Sequence, residues 1–159
     1  MAKRRKQKTR ISRDIPHKSR LLQFADALWS LSVRRDWGCC VVCKQRGKLD
    51  AHHIICRAHD ATRYDLRNGI CLCANHHRWD ADTSPHQNPE GWLRWLRANQ
   101  PSLHGWYMEK MDTGDHRRFD GIKTADYYIQ QIQRLRQYVE PEDFSRICGV
   151  RFAAYLEMP

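Results

Sequence analysis

The sequence predicts a small α+β fold: a zinc knuckle, two short strands and a helix gathered around metal, surrounded by helices. Three observations predict it. Cys40-x-x-Cys43 and Cys73-x-x-His76 are pairs of soft ligands about thirty residues apart, and two residues between ligands is the spacing of a knuckle turned around one Zn²⁺. Between the pairs lie two short apolar stretches, 49–55 and 69–72, of strand length. On either side, apolar residues recur at spacings of three and four, the stripe of a helix that faces a core.

The elements follow in order. Residues 1–18 read as a flexible basic arm. Ser19 stands where an N-cap would, before a helix from Arg20 to about Arg34 whose apolar face is Leu21, Phe24, Ala25, Leu28 and Leu31. Trp37-Gly38 ends it. The Cys40–Cys43 knuckle and a turn at 44–48 lead to a strand over 49–55. Residues 56–68 are polar and read as a loop; 69–72 is the second strand and Ala74 to about Asp80 a helix. Such a unit buries little apolar surface and needs a metal or a neighbour to hold it. Asn88 caps the next helix, Pro89 opens it, and Trp92, Leu93, Trp95 and Leu96 form its apolar face. Another short helix is expected over 102–111 and a loop over 114–121. Thr124 caps a helix to about Val139, and 144–156 receives no assignment. The chain of 159 residues is read as one domain over 19–159, with a core at 37–80 and a helical part at 88–159. At this size about 68–70% of the unfolded surface is removed on folding, enough for a real core.

The net charge of +10 is concentrated at one end. Residues 1–20 hold nine Lys/Arg against the single acid Asp14, so +8 of the net +10 sits there. Lys3, Arg4, Arg5 and Lys6 lead this run, which suits phosphate contact driven by counterion release. No apolar run reaches the ~20 residues of a membrane span, and the charged N-terminus does not read as a signal peptide. A cytoplasmic protein is expected. Seven cysteines, an odd number, six of them between 39 and 73, argue for metal and against a disulfide framework. Cys39 competes with Cys40 and Cys71 with Cys73 for the zinc, although Cys71-x-Cys73 is poorly spaced for a knuckle. Cys56 and Cys148 are taken as buried free thiols, Trp92 and Trp95 as core, and Trp79 as packing its helix onto the fold.

Four protein ligands (Cys40, Cys43, Cys73 and His76) would close the zinc shell and make it structural. The sequence holds more histidines than that zinc can use. His52 and His53 are adjacent on a strand and so point to opposite faces; His76 and His77 are adjacent on a helix and project about 100° apart. One of the first pair can bind a metal while the other takes a proton, and one of the second pair can face the zinc while the other faces a second site.

These residues resemble the HNH endonucleases of the ββα-metal type. The likeness rests on Cys40-x2-Cys43, Asp50-Ala-His52-His53-Ile54 and Asn68-Gly-Ile-Cys71-Leu-Cys73-Ala-Asn-His76-His77. A looser pattern, the Arg57–Asp65 loop and the Asn88-Pro89 opening of a Trp-rich helix, resembles small phage-encoded HNH nucleases, including the NinG/Rap recombination proteins. The resemblance implies catalytic roles for His52, His53, Asn68 and His77. His52 and His77 would hold a catalytic divalent ion, Mg²⁺ or another, besides the structural Zn²⁺. His53 would be the general base and Asn68 would fix the connecting loop. Where the family commonly has a second CxxC pair, this chain has Cys73-x-x-His76. The implied substrate is DNA, double-stranded or branched, cut to a 5′-phosphate and a 3′-hydroxyl; a phage origin would place the protein in the host cytoplasm. Arg57, Arg63, Arg67 and Arg78 lie around the site in sequence, Arg63 being singled out for phosphate. No stretch resembles a base-reading helix, so low sequence specificity is expected. The competing reading is a non-catalytic zinc-ribbon DNA-binding module, which has no use for His52, His53 and His77.

Overall fold

The computed structural model describes residues 15–119, 121 and 123–157. The basic residues Lys3, Arg4, Arg5 and Lys6 lie outside them. Contacts divide the chain into two compact units: Met1–Leu28 with Lys123–Pro159, and Trp29–Ile122.

Helix α1 spans Lys18–Trp37. Ser19 lies inside it and is not its cap. Its backbone N–H instead donates to Nδ1 of His17, whose carbonyl accepts from Arg20 and Leu21. Gly38, with φ of 63°, ends the helix in the left-handed region.

The first unit is all helical among its described residues. Leu21, Phe24, Ala25 and Leu28 of α1 are buried. Helix α6 spans Ala125–Arg136, three residues short of the expected end, and Thr124 caps it by accepting from the Tyr127 N–H. The unassigned stretch forms two helices, α7 over Pro141–Cys148 and α8 over Val150–Tyr155, broken at Gly149 with φ of 82°. Phe24 and Phe152 stack with centroids 5.9 Å apart. Cys148 is buried, and that burial raises its thiol pKa to about 12.

The second unit carries the sheet. Strands β1 (Leu49–His53) and β2 (Gly69–Cys73) pair antiparallel, Leu49 opposite Cys73 and His53 opposite Gly69. Helix α3 (Ala74–Arg78) follows β2 directly. The polar stretch between the strands contains α2 (Asp60–Arg63) and a 3₁₀ turn at Leu66–Asn68, in which Asp65 accepts from the Arg67 N–H. Helix α4 (Pro89–Asn99) is capped as expected, with Asn88 accepting from the Gly91 N–H at 2.8 Å, and α5 spans Pro101–Thr113. One face of the sheet packs Ile70 and Leu72 against Val41, Trp92 and Leu96. A two-stranded sheet is marginal by itself, so this apolar layer is part of what holds it.

The other face meets the end of α1. Gly69 has no Cβ because Val33 and Trp29 occupy that space. Gly69→Ala should therefore overpack the layer and cost about 1–3 kcal/mol, read from the denaturation midpoint. An unchanged midpoint would show that α1 can retreat freely.

Candidate metal centres and active site

Three thiols and an imidazole converge between the knuckle and α3. The ligand atoms of Cys40, Cys43, Cys73 and His76 all lie within 4.8 Å of one another. Sγ of Cys43 is 3.9 Å from Sγ of Cys73, and Nδ1 of His76 is 3.2 Å from Sγ of Cys73 and 3.8 Å from Sγ of Cys40. Tetrahedral bonds of about 2.3 Å to sulfur and 2.0–2.1 Å to nitrogen would separate such ligands by about 3.5–3.8 Å, so the set fits Zn²⁺. Burial works against a Cys40 thiolate, but the backbone N–H groups of Cys43, Cys73 and Val42 outweigh it and lower the pKa. Cys39 and Cys71 are not part of the cluster; burial pushes the Cys71 thiol up to about 11.

A second group forms around His77, the next residue of α3. Alternation along β1 puts Asp50 and His52 on one face and His53 on the other. His77 reaches toward Asp50 and His52: its Nδ1 is 2.8 Å from Asp50 Oδ2 and its Nε2 is 3.2 Å from Nδ1 of His52. A carboxylate can only accept, so Nδ1 of His77 carries the proton and its Nε2 lone pair faces His52. This is the carboxylate–histidine arrangement that fixes the tautomer of a metal ligand. Nε2 of His86 lies 3.3 Å from the same nitrogen. Two ligands at about 2.0–2.1 Å on a tetrahedral ion would be about 3.4 Å apart, so His52, His77 and His86 suit one divalent ion. Burial, aided by His77, His86 and His53, lowers the His52 pKa to about 3, so its ring is neutral at ordinary pH. Burial and His77 also lower His86.

Residues 40–81 match the family model of the HNH endonucleases.

The HNH segment covers about a quarter of the chain. No curated protein and no solved structure matches the chain. The comparisons support the HNH likeness and give no support to the wider one with the phage NinG/Rap proteins.

The remaining HNH residues are placed by the inter-strand loop. Asn68 is fully buried. Its Oδ1 accepts from the Ile55 N–H at 2.6 Å, and its Nδ2 donates to the carbonyls of Ile55 and Thr62. It thereby ties the two ends of the loop and α2 together. His53 Nε2 lies 2.9 Å from the Arg63 carbonyl, next to that tie. The carbonyl can only accept, so this nitrogen bears the proton and Nδ1 the lone pair. Trp29 stacks on the ring at 3.6 Å and 11° and anchors itself by donating from Nε1 to the Asp65 carbonyl.

His52, His53, His77 and His86 line one cavity of about 610 Å³. Arg57 and Arg78 also line it; Arg63 does not, its guanidinium donating to the Arg57 carbonyl. Cys56 is exposed and borders the cavity, contrary to its reading as a buried thiol. Trp79 is 68% exposed and does not pack α3 onto the fold, because the helix ends at Arg78 and the chain turns away. The sequence reading missed His86 and the role of Asp50. His86 lies nine residues beyond His77 with no ligand spacing to mark it. It is brought back by a turn in which Asp80 accepts from Asp82 and Thr83, and buried Ser84 donates to the His77 carbonyl while accepting from the His86 N–H. Asp50 carried a weak signal, an acid two residues before His52 on the same strand face.

No helix among the described residues is long and apolar enough to cross a membrane.

Proposed function

We propose that the chain is a metal-dependent endonuclease that hydrolyses phosphodiester bonds in DNA with little regard for sequence. The observation that carries this is the meeting, in one cavity, of three convergent imidazoles with a fourth whose tautomer is set by a backbone carbonyl. A divalent ion held by His52, His77 and His86 would stabilise the negative charge that grows on the phosphate in the transition state. Asp50 keeps His77 in the tautomer that can bind such an ion. His53, with its proton on Nε2, takes a proton from the attacking water at Nδ1. Asn68 acts through the loop: it bonds the Thr62 carbonyl, next in the chain to Arg63, whose own carbonyl orients His53. Arg57 and Arg78 replace Arg63 as the phosphate-holding residues. A Zn²⁺ held by Cys40, Cys43, Cys73 and His76 would be structural and would keep α3, hence His77, in place on the sheet.

The zinc-ribbon reading accounts for the thiol cluster but leaves the second histidine cluster without a use. Lys3, Arg4, Arg5 and Lys6 add sequence-blind affinity. A role in recombination, with branched DNA as the substrate, is the finer form of the proposal.

Plasmid DNA and a four-way junction, each incubated with the protein in Mg²⁺, Mn²⁺ or Ni²⁺, test it. Cleavage is expected in at least one metal, to stop after dialysis against a mild chelator that leaves one zinc per chain, and to return when the divalent ion is restored. Protein that retains its zinc, binds DNA and cuts neither substrate in any metal is the zinc-ribbon outcome.

A further inference from the structure

The cavity is lined by two kinds of residue: the histidines with Arg57 and Arg78, and the apolar or aromatic Ile54, Pro85, Trp92, Leu93 and Tyr107. The first kind suits a phosphate and an ion. The second does not: the backbone of a paired duplex offers only charged phosphates and sugars at its surface, with its bases stacked inside. An apolar, aromatic wall against that backbone gains nothing from burial. A base that has left the stack has a flat apolar face and is joined to the scissile phosphate through one sugar. A volume of about 610 Å³ lies within the range of pockets that enclose small-molecule-sized groups, so it has room for such a nucleotide.

We propose that these apolar lining residues form a subsite for one unpaired nucleotide next to the scissile phosphate, with Tyr107 and Leu93 contacting the base. The inference rests on the nuclease reading and narrows its substrate. Extruding a base from a paired duplex costs a few kcal/mol, and least where the base is already unpaired. The enzyme therefore prefers DNA that offers an unpaired nucleotide (a bulge, a gap or a branch point) over matched duplex. Trp92 is the buried floor of the subsite: it stacks on Trp95 at 5.4 Å and lies perpendicular to the His52 ring. It is fixed from behind, so the base meets a rigid surface.

The test compares a matched duplex with the same duplex carrying a one-nucleotide bulge. Binding is read by fluorescence anisotropy with zinc-loaded His53→Ala protein, whose cleavage is slowed, and cleavage is read with the parent. The bulged DNA should bind at least about tenfold more tightly, the lower part of the range for stacking one base on an aromatic ring. Tyr107→Ala should bring the bulged DNA down to the level of the matched one and leave the matched one unchanged. Leu93→Trp, which fills the space without removing the wall, should do the same if Tyr107→Ala does not fold. Equal binding and equal cleavage of the two DNAs overturn the subsite while leaving the nuclease reading intact, as do variants that weaken both DNAs alike. A parent that cuts neither DNA overturns the nuclease reading, and the subsite with it.

Discussion

Cys73→Ser is expected to lose its zinc and melt far below the parent, with Cys43→Ser behaving alike. Each leaves one position of the thiol–imidazole cluster empty of a good ligand. The two strands contribute ten residues and one apolar layer, formed by Val41, Ile70, Leu72, Trp92 and Leu96, which is little to hold a sheet. Much of the zinc binding free energy is then folding free energy, on the order of 10 kcal/mol in isolated zinc modules. Cys73 has the larger expected effect because it ends β2 and is buried, whereas Cys43 is exposed. Metal content by mass spectrometry and a thermal melt check this, and excess Mg²⁺ should not rescue either variant. Variants that stay folded with one zinc per chain would mean that the cluster's ligands are other than these four.

His53→Ala should leave the fold, both metal sites and DNA binding in place while cleavage falls by about 10²–10⁴-fold, the usual contribution of a positioned proton acceptor. The ring is not in either cluster of convergent ligand atoms, so its loss removes no metal ligand. Its Nε2 hydrogen bond goes to a backbone carbonyl and its stacking partner is Trp29; truncation therefore leaves a small void beneath the indole. A modest fall in melting temperature should accompany the loss of rate. His77→Ala should behave differently: cleavage falls, but added divalent ion restores part of it, because His52 and His86 remain. Single-turnover cleavage as a function of metal concentration separates the two. A His53→Ala protein that cuts at the parental rate would take His53 out of the mechanism.

The sequence by itself determined the pieces that depend on neighbours a few residues away. The CxxC and CxxH pairs, the two short strands, the Asn88 and Thr124 caps and the Gly38 stop were all legible, because knuckle geometry, strand length and capping are set within one turn of chain. The adjacency of His52 and His53 was legible in the same way, since strand alternation alone sends them to opposite faces. What the tertiary structure decided is where separate elements meet. His76 joins the thiols and His77 joins His52, an allocation set by how α3 sits on the sheet, to which the i, i+1 spacing is indifferent. His86 enters the second cluster only because the turn from Asp80 to Asn88 folds back through hydrogen bonds of Asp80 and Ser84. The exposure of Trp79 and Cys56, and a cavity lined by Arg57 and Arg78 and not by Arg63, depend on which surfaces find a partner. Hydrophobic periodicity reports which face of an element is apolar and carries no information on which other element covers it; that choice is made by packing across long stretches of chain.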